Sequence, residues 1–347
     1  MTSFSNANAM KDQKTWKEFY EAAIAYRDLA PWEWMHDSDI FGVQDPESGE
    51  IGYCCVMGNA GEVFALGVYP GDEGFKSYLI LLNQPDDLPF EDQVALGMNQ
   101  VMLKVEFVDR ADLAEQDLKQ AKALGLKFRG RNQWVLARFH QPGTPGWPLD
   151  ANQARRLTHA LRQACEVAVR FKEDEGLLYG NEGKMLLRAS EQKGGQLEWK
   201  DQYEKFKSYT ISPFPSIKPT PALVKKAKKE LKQKPGALLF MHQYMRSQVK
   251  GENGLPIVPK ISLWVSYPSG MILGTEMLGP EDGLEKLEAS FFKQIHNLGY
   301  IPQQIGASSV MGSQALAQLA KELGIELLVI PEEPIFKEVL KSMQMFL

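Results

Sequence analysis

Cysteine is scarce in this sequence, with three residues among 347. Cys54 and Cys55 are adjacent, and neither they nor Cys165 belongs to a spaced pair of the kind that holds a structural zinc ion. The sequence therefore contains neither a disulfide framework nor a zinc motif, and this low thiol content is typical of a reducing compartment. We expect no metal site and no cofactor.

Long apolar runs are also missing. None approaches the roughly 18 residues that a membrane helix requires, and residues 1–15 have no apolar stretch that could serve as a signal peptide. We therefore expect a cytoplasmic protein with no membrane contact. The first nine residues, MTSFSNANA, are small and polar, so residues 1–11 are predicted to be a disordered leader.

The signatures of common enzyme classes do not occur. Glycines crowd residues 58–74, but Phe75 separates Gly74 from Lys76 and Ser77, so the Gly-Lys-Ser/Thr ending of a phosphate loop is absent and hairpin turns are favoured. The five histidines are scattered, with no pair at i and i+4. No serine lies in a G-x-S-x-G nucleophile elbow. The catalytic residues, if any, are unknown, and an enzyme is the less favoured interpretation.

What the sequence does contain is a charge asymmetry. Residues 1–212 carry 24 Lys and Arg against 32 Asp and Glu, a net charge of -8, whereas residues 213–347 carry 15 against 12, a net charge of +3. A chain of 347 residues is also long for one ordinary core. The stretch SPFPSIKPTP at the junction has four prolines, which forbid a helix. We predict a domain at 12–205, a proline-rich linker at 206–221 and a second domain at 222–347.

The first half alternates short apolar segments with helical ones. FGVQD, IGYCCVMG and EVFALGVYP, separated by glycine turns, predict an antiparallel meander. Thr15 and Glu18 form a capping pair that predicts one helix start, and Asp150 and Gln153 form a second. We expect residues 12–205 to form an α+β domain with a mainly antiparallel sheet.

Residues 260–330 contain the signals of a complete supersecondary unit. KISLWVSY and MILGTEML, separated by a PSG turn, predict a hairpin. Pro280 is predicted as the first residue of an amphipathic helix that Gly299 ends. A short strand, a helix capped by Ser313 and the apolar run IELLVI then predict a parallel crossover. We expect residues 222–347 to form an α/β domain with a mixed sheet.

Seven lysines lie between Lys218 and Lys234 against a single acid, Glu230. Apolar residues recur on one helical face in this segment: Leu223, Ala227 and Leu231. A helix docked by that face would present four lysines outward: Lys225, Lys226, Lys228 and Lys229. The default interpretation is a solvated surface, because lysine without arginine does not suit bidentate recognition. The alternative is weak binding of nucleic acid or of an acidic protein surface.

A second basic segment, KFRGRNQWVLARFH at residues 127–140, interleaves cations with aromatic side chains. Such a strand could stack bases on its rings while its cations hold phosphates. In a domain of net charge -8, the pattern favours a strand with aromatic core residues and a charged outer face.

Several segments carry a family resemblance. They are VYPGDEGFKSYL and PGWPLDANQARRLTHAL in the first half, and ISLWVSYPSGMILGTEML, GYIPQQIGASS and LAKELGIELLVI in the second. Through them the chain resembles an uncharacterised bacterial two-domain family whose two domains are of unknown function. The resemblance covers most of the chain. It implies no activity, cofactor or catalytic residue.

The element order in residues 237–347 is similar to a ribonuclease H-like fold, with ALLFMHQYM as the first strand. In that fold, acids on the first strand, the first helix and the fourth strand hold two divalent metal ions. Here the first strand has no acid and the fourth ends in Ala307-Ser308-Ser309, so only Glu285 or Glu288 remains. The resemblance therefore implies a degenerate fold without nuclease chemistry.

These observations predict a non-enzymatic binding or scaffolding protein whose macromolecular partner is unknown. Two alternatives stay open: a weak, non-specific nucleic-acid binder acting through the lysine helix, and a metal-dependent hydrolase with an unrecognised site.

Overall fold

The computed structural model describes residues 2–180, 183–205, 207, 209 and 212–344. The helices of this part of the chain are α1 (Thr2–Leu29), α2 (Gly71–Leu82), α3 (Phe90–Met98), α4 (Glu115–Ala123), α5 (Ala151–Glu173), α6 (Pro221–Glu230), α7 (Glu285–Leu298), α8 (Val310–Leu323) and α9 (Pro334–Gln344). Among them, none is both long enough and apolar enough to cross a membrane.

The strands that the structure describes are mostly short. They are β1 (Phe41–Gln44), β2 (Ile51–Met57), β3 (Ala65–Pro70), β4 (Met102–Val108), β5 (Trp134–His140), β6 (Trp147–Pro148), β7 (Tyr179–Gly180), β8 (Lys184–Lys193), β9 (Gln196–Lys205), β10 (Gln233–Tyr244), β11 (Val249–Lys250), β12 (Pro256–Ile257), β13 (Lys260–Ser266), β14 (Ile272–Leu278), β15 (Ile301–Ala307) and β16 (Glu326–Val329).

The chain divides into two compact units. The first consists of Met1–Leu82, Gln100–Gln141 and Gly146–Thr210, and the second of Asn83–Asn99, Pro142–Pro145 and Ile211–Leu347. The second unit thus includes two short segments from the first half of the sequence. The domains predicted from the sequence, 12–205 and 222–347, are each continuous and do not include such segments. Their boundaries stay a prediction that limited proteolysis can test.

The sheet of the first unit is mainly antiparallel, as predicted. Its strands run in the order β6-β5-β4-β3-β2-β1-β8-β7, with β9 paired to β8. Only β1 and β8 pair in parallel among these neighbours in the described residues. Successive residues of a strand point to opposite faces. Cys54 accordingly joins the core beneath α1 and α5, and Cys55 joins a smaller core that contains Phe75 of α2.

The first helix starts earlier than the sequence predicts. It begins at Thr2, so residues 2–11, assigned above to a disordered leader, have helical backbone, and Thr15 lies inside the helix rather than at its cap. Neither glycine nor proline interrupts the segment, which allows the helix to continue. It ends at Leu29, just before Pro31.

The predicted cap of α5 is confirmed. Asp150 accepts a hydrogen bond from the Gln153 backbone N–H at 2.8 Å, and the Gln153 side chain accepts one from the Asp150 N–H at 2.9 Å. These reciprocal bonds satisfy two backbone donors that the first helical turn leaves free. The cap positions α5 so that its apolar face covers the sheet of the first unit.

The second unit has the predicted mixed sheet, in the order β14-β13-β10-β15-β16. β13 is antiparallel to both of its neighbours, whereas β10, β15 and β16 are parallel to one another. The cores on its two faces contain residues of α6, α7 and α8 in one case and of α9 in the other. The order of strands and helices along the chain agrees with the expectation, and the likeness to a ribonuclease H-like fold stays a prediction.

Two helix starts in the second unit differ from those predicted. Pro280 lies in a turn in which Asp282 accepts a hydrogen bond from the Gly279 N–H at 2.9 Å, and α7 begins later, at Glu285. α8 is capped by Ser309 rather than Ser313, because the Ser309 hydroxyl accepts from the Gly312 N–H at 3.0 Å. A serine-rich segment offers several caps, and tertiary contacts select among them.

The proline-rich stretch packs against the second unit. Ile217 belongs to the core of that unit, and its N–H donates to the Ala315 carbonyl at 2.9 Å. These contacts hold the segment that leads into α6 against α8.

Candidate functional site

The lysine helix α6 is fixed at its start by α7. Pro221 occupies the first helical position, where a missing N–H costs nothing. The carboxylate of Glu288 accepts hydrogen bonds from the Thr220 N–H at 2.6 Å and from the Thr220 hydroxyl at 2.8 Å. Glu288 thus positions the first turn of α6.

The apolar side of α6 faces the core of the second unit. Val224 and Ala227 are buried, and Leu223 and Leu231 are partly buried. The sequence pattern identified this face but missed Val224, the more deeply buried neighbour of Leu223. The helix therefore has a defined outer surface.

The predicted lysines are all exposed on that outer surface. Lys228 lies 3.9 Å from Glu322 of α8. For the other three, the described part of the chain provides no ion pair and no hydrogen bond: Lys225, Lys226 and Lys229. The one acid of α6, Glu230, lies 3.4 Å from His296 of α7. The outer surface of α6 is therefore a cluster of mostly uncompensated positive charge, which we call the lysine face.

A groove of about 380 Å³ adjoins the lysine face. Its lining combines apolar and charged side chains: Pro219, Pro221, Val224, Lys225, Lys228 and Glu322. Two of the four lysines therefore line a concave surface with an apolar part. Such a site can hold a phosphate on its lysines beside an apolar group on its proline and valine side chains.

The structure gives Glu288 a different role from that of a metal ligand. Both of its oxygens already accept hydrogen bonds from Thr220, and the residue is 5% exposed. Glu285 is exposed on the first turn of α7. Within the described residues, no group of three or more His, Cys, Asp or Glu side chains is arranged to hold a metal ion.

Two polar residues near the carboxyl ends of β10 and β15 were not identified as site residues from the sequence, because neither lies in a recognisable motif. The Asp92 carboxylate of α3 accepts hydrogen bonds from the Val310 and Met311 N–H groups, both at 2.8 Å. His242 of β10 is buried, with Nδ1 2.8 Å from the Ser262 hydroxyl. In open α/β sheets, ligands bind near these strand ends, and anions favour a helix N-terminus. Asp92 itself occupies that position on α8.

Acid is expected to destabilise the protein through His242. Burial lowers the pKa of His242 to about 3, below its ordinary value of 6.5. The unfolded chain therefore binds a proton below pH 6.5 that the folded chain excludes, so stability falls from pH 6.5 towards pH 3, by about 1.4 kcal/mol per pH unit. Urea unfolding at pH 7 and pH 5 measures this loss.

His242→Gln provides the control for that measurement, because glutamine does not titrate. The variant is expected to lose less stability than the parent chain between pH 7 and pH 5. Burial also lowers the pKa of His140, to about 4, so this residue contributes a loss of stability on acidification in both proteins. Equal losses in the two proteins would show that His242 is not the sensitive group.

The basic segment at 127–140 serves the fold of the first unit. Phe128 and Phe139 pack against its core, and Arg138 donates to both oxygens of Asp117, at 2.9 and 2.7 Å. Arg131 is exposed, 3.9 Å from Asp109. The aromatic core contacts favoured above are therefore present, but only residues 134–140 form a strand, and residues 127–133 form the loop that precedes it.

The cysteine thiols are poor nucleophiles. Burial raises the pKa of both Cys54 and Cys55, and burial raises the pKa of Cys165 to about 11. A thiol with a raised pKa carries little thiolate at neutral pH.

Comparison with known families supports the resemblance drawn from the sequence. A family described as "Domain of unknown function (DUF7309)" matches residues 16–188, and one described as "Domain of unknown function (DUF6930)" matches residues 223–344. The chain thus combines two domains of unknown function. The lysines of α6 lie within the DUF6930 region, and no curated protein matches the chain.

The chain also matches part of a solved structure. This is a chain of the "CryoEM structure of simian T-cell lymphotropic virus intasome in complex with PP2A regulatory subunit B56 gamma", with 15% sequence identity and a TM-score of 0.23. The match covers 33% of this chain and 40% of that chain. A similarity of this size carries no argument about fold or function.

Proposed function

We propose that the chain is a non-enzymatic binding protein whose DUF6930 region holds nucleic-acid phosphates on the lysine face. The observation that carries the proposal is the charge arrangement of α6. Four exposed lysines follow one another within a turn and a half, and one of them lies within 4 Å of an acid in the described chain. A surface of this kind attracts polyanions.

The residue types indicate binding without sequence readout. Lysine is a compact point charge that contacts phosphate, whereas bidentate recognition of base edges relies on arginine and amide side chains. α6 has no arginine and no amide among its exposed residues. Affinity should therefore come from the phosphate backbone, with a dissociation constant on the order of 10⁻⁴ to 10⁻⁶ M at physiological salt.

The test is a titration of the full chain with a fluorescein-labelled duplex, read by anisotropy at 50 and 200 mM KCl. If about four phosphates are neutralised, affinity should fall about 100-fold between the two salt concentrations, because each contact releases counterions. A variant with four Lys→Gln substitutions, at Lys225, Lys226, Lys228 and Lys229, should lose this binding and its salt dependence. Glu322→Gln should increase affinity, since it frees Lys228 from its nearest acid.

The matched control has four Lys→Gln substitutions at exposed positions on other elements of the second unit: Lys250, Lys286, Lys337 and Lys341. It removes the same net charge and should retain most of the binding. Equal losses in the two quadruple variants would mean that net charge, and not the lysine face, is responsible. Binding of polyglutamate but not of nucleic acid would instead assign an acidic protein partner.

A further inference from the structure

The first unit contains a cavity that is independent of the lysine face. It measures about 380 Å³ and is bounded by side chains of α1, α4 and β5 and by residues 148–149. This volume lies within the range of about 300–1,000 Å³ that is usual for small-molecule sites. The lining includes both apolar and polar side chains, as such sites require.

Aromatic rings form the wall that α1 contributes. Trp16 and Phe19 meet edge to face with ring centroids 5.9 Å apart, and Phe19 and Tyr20 do so at 5.3 Å. Phe19 and Tyr20 are 1% and 5% exposed and belong to the core of the unit, so their orientation is fixed by packing. A fixed aromatic wall favours a planar aromatic ligand.

The charged groups of the cavity are already paired. The Arg138 guanidinium donates to both oxygens of Asp117, and these two side chains are 18% and 12% exposed. Lys119 lies 2.8 Å from Glu115. A charged ligand would compete with the mostly buried Arg138–Asp117 pair, whereas a neutral ligand leaves it intact; the exposed Lys119–Glu115 pair contributes little in either case.

The uncommitted polar groups are neutral. In the described part of the chain, the side-chain amides of Gln116 and Gln120 and the hydroxyl of Tyr20 make no hydrogen bond. Gln116 and Gln120 are four residues apart and therefore share one face of α4. Burial and the nearby Asp117 raise the pKa of Tyr20 to about 12, so its phenol stays neutral and can donate or accept.

We infer that this cavity binds an uncharged, planar nitrogen heteroaromatic molecule of one or two rings. Its ring packs on Trp16, the partly exposed ring of the wall that Phe19 and Tyr20 hold in place, and its edge exchanges hydrogen bonds with the amides of Gln116 and Gln120. Each of these features is local to the first unit.

Adenine, which is neutral at pH 7, is the probe, and benzoate is the anionic comparison. Binding to the full chain is measured by ligand-observed saturation-transfer NMR and by calorimetry. Adenine should bind saturably and more tightly than benzoate. The double variant Gln116→Ala and Gln120→Ala should bind adenine about tenfold more weakly, because two hydrogen bonds are lost. Alanine suits a helix, so the double variant should fold.

Two further variants make the result specific to the cavity. Ala137→Phe fills the space from β5 and should abolish adenine binding, whereas Gln192→Ala, at an exposed amide of β8, should leave it unchanged. The quadruple lysine variant of α6 should also bind adenine normally. Absence of saturable adenine binding, or binding that Ala137→Phe leaves intact, would overturn the inference. Tighter binding of benzoate would overturn it as well.

Discussion

Replacing Trp264 by alanine is expected to lower the free energy of unfolding of the second unit by about 3–5 kcal/mol. Trp264 of β13 is fully buried, and its ring stacks on Phe240 with centroids 4.2 Å apart. Its indole Nε1 donates a hydrogen bond to the Ser290 hydroxyl of α7 at 3.0 Å. Truncation would leave a large cavity between the sheet and α7, and the Ser290 hydroxyl would lose the hydrogen bond that it accepts from the indole.

Trp264→Phe separates the two contributions. Phenylalanine can keep a ring against Phe240 but cannot donate to Ser290, so we expect a loss of about 1–3 kcal/mol. Hydrogen exchange read by mass spectrometry measures the effect within the second unit, on β10, β13 and α7. A loss below about 1 kcal/mol for the alanine variant would mean that the site relaxes and that Trp264 does not organise this core.

Features specified by neighbouring residues were predictable from the sequence. The bonds between Asp150 and Gln153 span one helical turn, and the meander of β1, β2 and β3 follows from alternation between glycine turns. The exposure of the α6 lysines follows in the same way, because a 3.6-residue period separates an apolar face from a polar one. In each case, one window of sequence contains the whole interaction.

Features specified by distant residues were not predictable in this way. Glu288 is separated by 68 residues from Thr220, the residue it binds. On sequence grounds alone it was one of the two acids, with Glu285, that remained for a metal site. Its actual role follows from the packing of α6 beside α7. The same applies to the cavity of the first unit, whose walls come from α1, α4 and β5.

The start of α8 shows how a local choice depends on the tertiary structure. Ser309 and Ser313 both have the chemistry of a helix cap. The hydroxyl of Ser309 bonds to the Gly312 N–H and to the His242 carbonyl, which makes this the residue that caps the helix. The next two backbone N–H groups after Ser309, those of Val310 and Met311, donate to the Asp92 carboxylate. One helix start thus takes partners from α3, β10 and its own first turn.

Replacing Asp92 by alanine is therefore expected to destabilise the second unit by about 2–4 kcal/mol. Asp92 is fully buried, and its carboxylate receives two backbone hydrogen bonds at 2.8 Å at the positive end of α8. Its loss leaves two buried donors without partners, each at a cost of about 1–3 kcal/mol, while the removed cost of burying the carboxylate offsets part of this. Hydrogen exchange should increase both in the first turn of α8 and in residues 83–99.

The neighbouring acid provides the control for Asp92. Glu91 lies on the same helix and pairs with Arg246 at 3.2 Å, but the arginine side chain is 72% exposed to solvent, so Glu91→Gln should cost less than about 1 kcal/mol. If Asp92→Ala releases α8 but leaves exchange in residues 83–99 unchanged, the carboxylate serves only as a helix cap. If exchange rises both in the first turn of α8 and in residues 83–99, the Asp92 side chain attaches a segment from the first half of the sequence to the second unit. That attachment would explain why the second unit is discontinuous in sequence.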